Sequence, residues 1–252
     1  MINSNLMEES AVRKIIDKKG VFNVFEYDHD LSVSPSSAEI SYFASKMNVR
    51  KRQIVAELKD SGVVVQAGAM QMMVGGINAA ADIRGAGDFL KKAIGSKVTG
   101  ETAVKPKYEG TGILVLEPTY KHILLEDLSN WGGNMVIEDG LFLACESSVN
   151  MSIVPRSNLS SAVLGNEGLF NSILTGSGIV ALESPVPTQE LLVFDLQNDV
   201  LKIDGSMAIA WSNSLAFTVE KTTKSLIGSA ASGEGFVNVY RGTGKVLVAP
   251  VC

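Results

Sequence analysis

Apolar residues in this chain come in short bursts broken by glycine and acidic positions, and over most of the length they follow no helical period. Phe236-Val237-Asn238-Val239-Tyr240, then Gly242-Thr243-Gly244, then Lys245-Val246-Leu247-Val248-Ala249 shows the pattern well. Two strand-length runs flank a short glycine-rich connection, which reads as a hairpin. Glycine suits a reversal because it adopts positive φ at little cost, so the Gly-x-Gly triplets predict turns. Asp139-Gly140 and Asp204-Gly205 carry turn chemistry ahead of apolar runs, and Asp60-Ser61-Gly62 before Val63-Val64-Val65 reads alike. Strands of ~5–6 residues with turn signals every ~8–12 residues predict a mainly β chain of sandwich or barrel-like architecture.

Helical periodicity is confined to a few places. Ser36-Ser37-Ala38-Glu39 is a capping-box pattern, followed by Ile40, Phe43, Ala44 and Met47 at i, i+3, i+4 and i+7. Residues 6–19 also read as helix, with Ser4 or Asn5 as cap, Glu8 and Glu9 early, and Lys18, Lys19 and Gly20 at the close. Asp88-Phe89-Leu90-Lys91-Lys92-Ala93-Ile94, ended by Gly95, is a short helix candidate inside an insertion spanning 71–98.

The bursts repeat, and the repeat sets the expected organisation. Tyr108-Glu109-Gly110-Thr111-Gly112-Ile113-Leu114-Val115-Leu116-Glu117-Pro118 recurs as Leu174-Thr175-Gly176-Ser177-Gly178-Ile179-Val180-Ala181-Leu182-Glu183-Ser184-Pro185, and again from Tyr240 to Pro250. The first glycines, Gly110, Gly176 and Gly242, stand at equal intervals along the chain. An acidic residue precedes each final strand pair: Glu101, Glu167 and Glu234. The expected layout is a helical extension over 1–47 and three β copies over 48–118, 119–185 and 186–252, the first holding the insertion.

Some of these residues also resemble a known family. Val65-Gln66-Ala67-Gly68-Ala69-Met70 resembles the "GAM" signature of the altered-inheritance-of-mitochondria family, long labelled a domain of unknown function. Gly168 with Gly176-Ser177-Gly178, and Gly233-Glu234-Gly235-Phe236 with Gly242-Thr243-Gly244, resemble its two later signatures. The match covers 48–252. That family is similar in fold to the tryptophan-RNA-binding attenuation protein, a double-stranded β-helix type. The resemblance implies three tandem TRAP-like subdomains around a pseudo-threefold axis. It brings with it no established activity, substrate or catalytic residue, and residues 1–47, with their short N-terminal helices, fall outside it.

Composition narrows the function classes. With 46% apolar and 19% charged residues the chain is globular in type, and its net charge of −5 opposes a nucleic-acid role. The one basic run, Arg50-Lys51-Arg52, reads as a solvated strand entry or as a contact for an anionic surface. Two isolated cysteines, Cys145 and Cys252, give neither a disulfide framework nor zinc spacing. The first residues lack a signal-peptide pattern, and no apolar run nears the ~18 residues of a membrane span, so the expected location is cytoplasmic.

Candidate chemistry is sparse. His29 and His122 sit in no Gly-x-Ser-x-Gly elbow, so no catalytic residue, cofactor or metal set is assigned. Gly85-Ala86-Gly87-Asp88 precedes a helix candidate, but Asp88 would cap that helix itself and repel phosphate. Met70, Met72 and Met73 read as plastic core filling or a partner groove. Glu101, Glu167 and Glu234 form a shared acidic site if the copies bring them together, since converging carboxylates must share protons or a cation. The expectation is a non-enzymatic binding or scaffold protein that acts through protein or membrane-surface contacts and forms a homo-oligomer. The alternatives are RNA binding, by analogy of fold, and an enzyme using convergent carboxylates.

Overall fold

The computed structural model describes residues 2–81, 105–155, 170–221 and 236–250. Over these residues the protein is mainly β, with one α-helix. It opens on a hairpin of β1 (Arg13–Lys19) and β2 (Phe22–Tyr27), in which Lys19 faces Phe22 across the turn Gly20-Val21. This overturns the helix expected over 6–19. The same residues also satisfy a period of two: Ile15 packs near Phe25, Val55 and Val115 while Ile16 stays half exposed. Pairing with β2 outweighs the weak local helix signal, and Gly20, at φ 53°, serves a turn rather than a helix stop.

The helix expected after Ser36 is present as α1 (Ala38–Lys46). Its N-cap, Ser37, makes no side-chain capping bond. The Ser34 hydroxyl instead meets those of Ser36 at 2.9 Å and Ser37 at 2.8 Å. Glu39 in the first turn and Lys46 in the last still favour the helix dipole.

The remaining strands are β3 (Lys51–Val65), β4 (Met70–Ala81), β5 (Pro106–Leu116), β6 (His122–Asp127), β7 (Asn134–Ile137), β8 (Phe142–Glu146), β9 (Val149–Pro155), β10 (Phe170–Gly176), β11 (Ile179–Ser184), β12 (Leu192–Asp204), β13 (Ala208–Ser212), β14 (Ala216–Lys221) and β15 (Phe236–Val248). One sheet runs β1–β2–β3–β8–β11–β6, with β5 also on β3 and β4 beyond it. The other runs β12–β15–β13–β7–β10–β9, with β14 also on β15. Residues 71–81, expected to open an insertion, are strand β4, paired along β5. The helix candidate 88–94 lies outside the described residues.

The Gly-x-Gly triplets are not hairpin turns. β5 and β15 continue straight through Gly110-Thr111-Gly112 and Gly242-Thr243-Gly244. Opposite each triplet the partner strand carries an extra residue: Leu58 and Ser61 face Gly112 and Gly110, and Leu196 and Asp199 face Gly244 and Gly242. Such bulges bend a strand sharply, which is how one strand serves two parts of a curled sheet. Gly110 at φ 133° and Gly242 at φ 119° occupy backbone space that side chains rarely reach. A Cβ on Gly110 would also run into the carbonyl of Gly76. Asp60, read as a turn residue, sits in the first bulge with φ 49°. Asp139-Gly140 and Asp204-Gly205 are turns as expected, with φ 79° and 66° at the glycines.

Four apolar clusters lie among the described residues; the smallest holds Phe25, Val55 and Val115, and the three larger ones fill the curl. Phe22, Ile54, Leu58, Leu114, Leu116 and Ala181 belong to the first; Trp131, Met135, Leu174, Leu182, Ile209 and Leu247 belong to the second, which joins the two sheets. The third centres on Trp211, whose ring lies 5.5 Å from Phe217 and 5.4 Å from Tyr240. Aromatic groups of this size dominate core energetics through buried area.

Candidate functional sites

The signature residues Gln66-Ala67-Gly68-Ala69 form the tight turn between β3 and β4. Ala69 N–H donates to Gln66 O at 3.0 Å, and Gly68 has φ 82°. The turn is fixed from outside by Gln66 N–H to Leu143 O at 2.8 Å and Glu117 N–H to Ala69 O at 2.7 Å. With Glu117, Thr119, Lys121, Asp139, Phe142 and Glu183 it lines a cleft of about 520 Å³. Several polar groups of this cleft are engaged by one another or by neighbours. Lys121 Nζ pairs with Glu183 Oε2 at 2.8 Å, and Gln71 Nε2 donates to Glu117 Oε2 at 3.3 Å. Lys105 Nζ bonds Gln66 Oε1 and lies 5.2 Å from the Phe142 ring.

The basic run Arg50-Lys51-Arg52 is met by acids at the end of β2. Arg50 reaches Glu26 at 2.9 Å and Asp28 at 3.0 Å, and Lys51 reaches Asp30 at 3.0 Å. Arg52 is 2% exposed and pairs with Glu26 at 2.7 Å while also donating to the carbonyls of Asn48, Arg50 and Tyr120. A buried guanidinium with its donors so occupied ties the α1–β3 connection to the residues before β6. The hydrogen bond from His29, then the charge of Arg50, holds the Asp28 carboxyl below its usual range; the bond to Asp30 raises the Lys51 ammonium.

His122 lines a smaller cleft of about 310 Å³ with Arg52, Glu26 and Thr188. Burial, then the Arg52 charge, lowers its pKa, which favours the neutral ring. His29 lies at the surface, 2.9 Å from Asp28. Cys145 is buried, and desolvation followed by the charge of Glu146 pushes its thiol up to about 12. A thiol so placed is no nucleophile at neutral pH. Among the described residues no group of three or more His, Cys, Asp or Glu is arranged to hold a metal. Glu101, Glu167 and Glu234, Gly85–Asp88 and Cys252 lie outside the described residues.

Sequence reasoning missed Glu146. Its carboxylate accepts from Val21 N–H at 3.1 Å and Ile179 N–H at 2.9 Å, clamping the β1–β2 turn against the start of β11. Nothing in the local pattern marks it, because both donors come from distant segments.

A further feature is apolar and exposed. On α1, Ile40 is 74%, Phe43 58% and Met47 75% exposed, Tyr42 packs edge-on to Phe43, and among the helix residues Ser45 alone is buried. Leu31 and Val49 nearby in sequence are open too, as are Met72 and Met73 on β4. The core-filling reading of Met72 and Met73 therefore does not hold; Met70 alone of the three packs partly against the first cluster.

Two curled sheets around bulged strands define a mainly β protein, and the comparisons name its family. The family model of mitochondrial biogenesis AIM24 matches residues 47–251, and the chain belongs to that family. An uncharacterized protein of Streptococcus pyogenes serotype M6 is 27% identical over 194 residues, 74% of this chain and 75% of that protein. The crystal structure of protein SPYM3_0169 from Streptococcus pyogenes is similar in fold, with a TM-score of 0.57 at 24% identity, over 81% of this chain and 90% of that one. Among the described residues no helix is long and apolar enough to cross a membrane.

Proposed function

We propose that this protein is a non-enzymatic binding or scaffold protein that acts through contacts of its own surface with other proteins. The observation that carries the reading is the apolar stripe Ile40, Phe43 and Met47, offered to solvent on a short helix. Exposed apolar groups gathered on one element mark interaction sites in soluble proteins, and an amphipathic helix fits a groove through anchors at this spacing.

We read the body as three TRAP-like units about a near-threefold axis. β5 lies between β3 and β4, β15 between β12 and β13–β14, and β10–β11 between β6–β7 and β8–β9. The equal intervals between Gly110, Gly176 and Gly242 support the same division. Such a body suits a scaffold, because it displays like surfaces in several directions.

The rival readings share one experiment, equilibrium binding of single-stranded RNA and of anionic vesicles at low salt and at ~150 mM salt. With Arg50, Lys51 and Arg52 met by Glu26, Asp28 and Asp30, neither binds at the higher salt. RNA affinity in the sub-micromolar range at ~150 mM salt overturns the reading in favour of the fold analogy. Vesicle binding abolished by Ile40→Asp and Phe43→Asp moves the contact from proteins to a membrane surface.

A further inference from the structure

α1 carries an apolar stripe and two charges that belong to one pattern. At 3.6 residues per turn, Ile40, Phe43, Ala44 and Met47 fall along one line of the helix. Glu39 and Lys46 each stand one position before an end of that line, so they share one flank, while Ser41 lies on the other. Both charged residues are exposed, and among the described residues neither forms an ion pair. Lys46 Nζ lies 5.3 Å from the Tyr42 ring of the same helix.

The body holds this helix by its C-terminal end. Arg50 Nε donates to Ser45 O at 3.1 Å, Val49 N–H to Ala44 O at 2.9 Å, and Arg52 Nη2 to Asn48 Oδ1 at 2.8 Å. α1 therefore stands at the Lys51 end of β3. The described residues stop at Ala81 and resume at Lys105 by the opposite end, where Lys107 faces Val64; the other two interruptions follow β9 and β14, on the second sheet. α1 also precedes the three units, so their arrangement supplies no matching joint for it within the chain.

We propose that α1 packs antiparallel against α1 of a second copy of this chain, giving a twofold dimer. In an antiparallel pair like flanks meet, so Glu39 of each helix lies beside Lys46 of the other and one surface complements itself twice. Ile40 then lies opposite Met47 of the second copy and Phe43 opposite Ala44, large against small, so the stripes interdigitate. A parallel pair would turn the charged flank to Ser41 and leave both charges unmatched. An unrelated partner would have to bring the reverse charge order at the same spacing, whereas every copy of this chain already carries it. The inference rests on the reading of α1 as an interaction surface and names its partner.

The test uses the full chain. A pair of 9-residue helices falls below the standard interface size, so the dimer depends on concentration, and sedimentation is run up to on the order of 100 μM chain. The pairing predicts a mass that rises toward two chains. Glu39→Lys sets like charges side by side at both ends and weakens association at least about fivefold, and Lys46→Glu does the same. Mixing the two variants turns every like pair into an opposite one and recovers most of the lost association. Each variant also sets a charge against the helix dipole, which mixing does not relieve, so the recovery reports the contact between chains.

A single-chain mass throughout overturns the pairing, as does a larger mass that ignores both charge reversals or survives Ile40→Asp with Phe43→Asp. A mixture no stronger than its two components overturns it as well. If the pairing fails while a photoreactive group at Phe43 still captures other proteins, the proposed function stands; if that group captures no protein at all, both fall.

Discussion

Cys145 illustrates what burial does to a reactive group at the scale of one residue. In the second apolar cluster its thiol is 1% exposed and raised to about 12, so in a Cys252→Ser background it should react with a thiol reagent at pH 8 only as fast as the protein opens. Labelling at the rate of a free thiol would contradict its placement. Glu220 moves the other way: the hydrogen bond from Arg241, then that from Thr218, lowers its carboxyl from 4.5 to about 2. A depressed folded pKa adds stability above the unfolded value that is lost as pH falls between 4.5 and about 2. Both side chains are partly open to water, so the gain is small. The check is a carboxyl titration by NMR, in which Glu220 stays ionised at pH 3 and loses that shift in Arg241→Gln. The first glycines of the triplets should each cost roughly 1 kcal/mol or more as Ala in thermal unfolding. Gly110, Gly176 and Gly242 have φ of 133°, 111° and 119°, and unchanged midpoints in all three would refute the backbone argument.

Single elements were legible in the sequence where local signals agreed, and illegible where a partner decided. The period at Ile40, Phe43 and Met47 gave α1 its place, but whether that stripe meets a core depends on what lies beside it, and it meets solvent. Residues 6–19 carry caps and end charges suited to a helix, yet β2 recruits 13–19 as a strand. The Gly-x-Gly triplets have hairpin chemistry, and only the long partners β3 and β12, bulged opposite Gly110–Gly112 and Gly242–Gly244, reveal that those two triplets lie inside strands. Because the α1 stripe touches no core cluster, Ile40→Glu with Phe43→Glu should change stability by no more than about 0.5 kcal/mol, as ordinary surface changes do. Phe22→Ala in the first cluster should instead cost about 3–5 kcal/mol. Thermal unfolding of the two variants checks both, and a large loss from the α1 pair would mean that the helix is buried in solution.

Across the whole molecule, the even spacing of Gly110, Gly176 and Gly242 was visible in the chain because it needs no contacts to be read. The family followed from ordered signatures, and the match over 47–251 bears it out. The sites were far less legible. Arg52 looked like a surface cation until folding placed Glu26, Asn48 and Tyr120 around it, and Glu146 gained its role only when Val21 and Ile179 arrived. What folding leaves open is apolar surface, and the proposed function has proteins occupy it. To catch that occupant, Phe43 is replaced with a photoreactive residue, the living source cells are irradiated and the crosslinked species is identified. The expected product is a discrete protein adduct that disappears when Ile40→Asp and Met47→Asp are added. A probe that labels only lipid or nucleic acid, or a protein adduct indifferent to those two changes, would contradict the proposal.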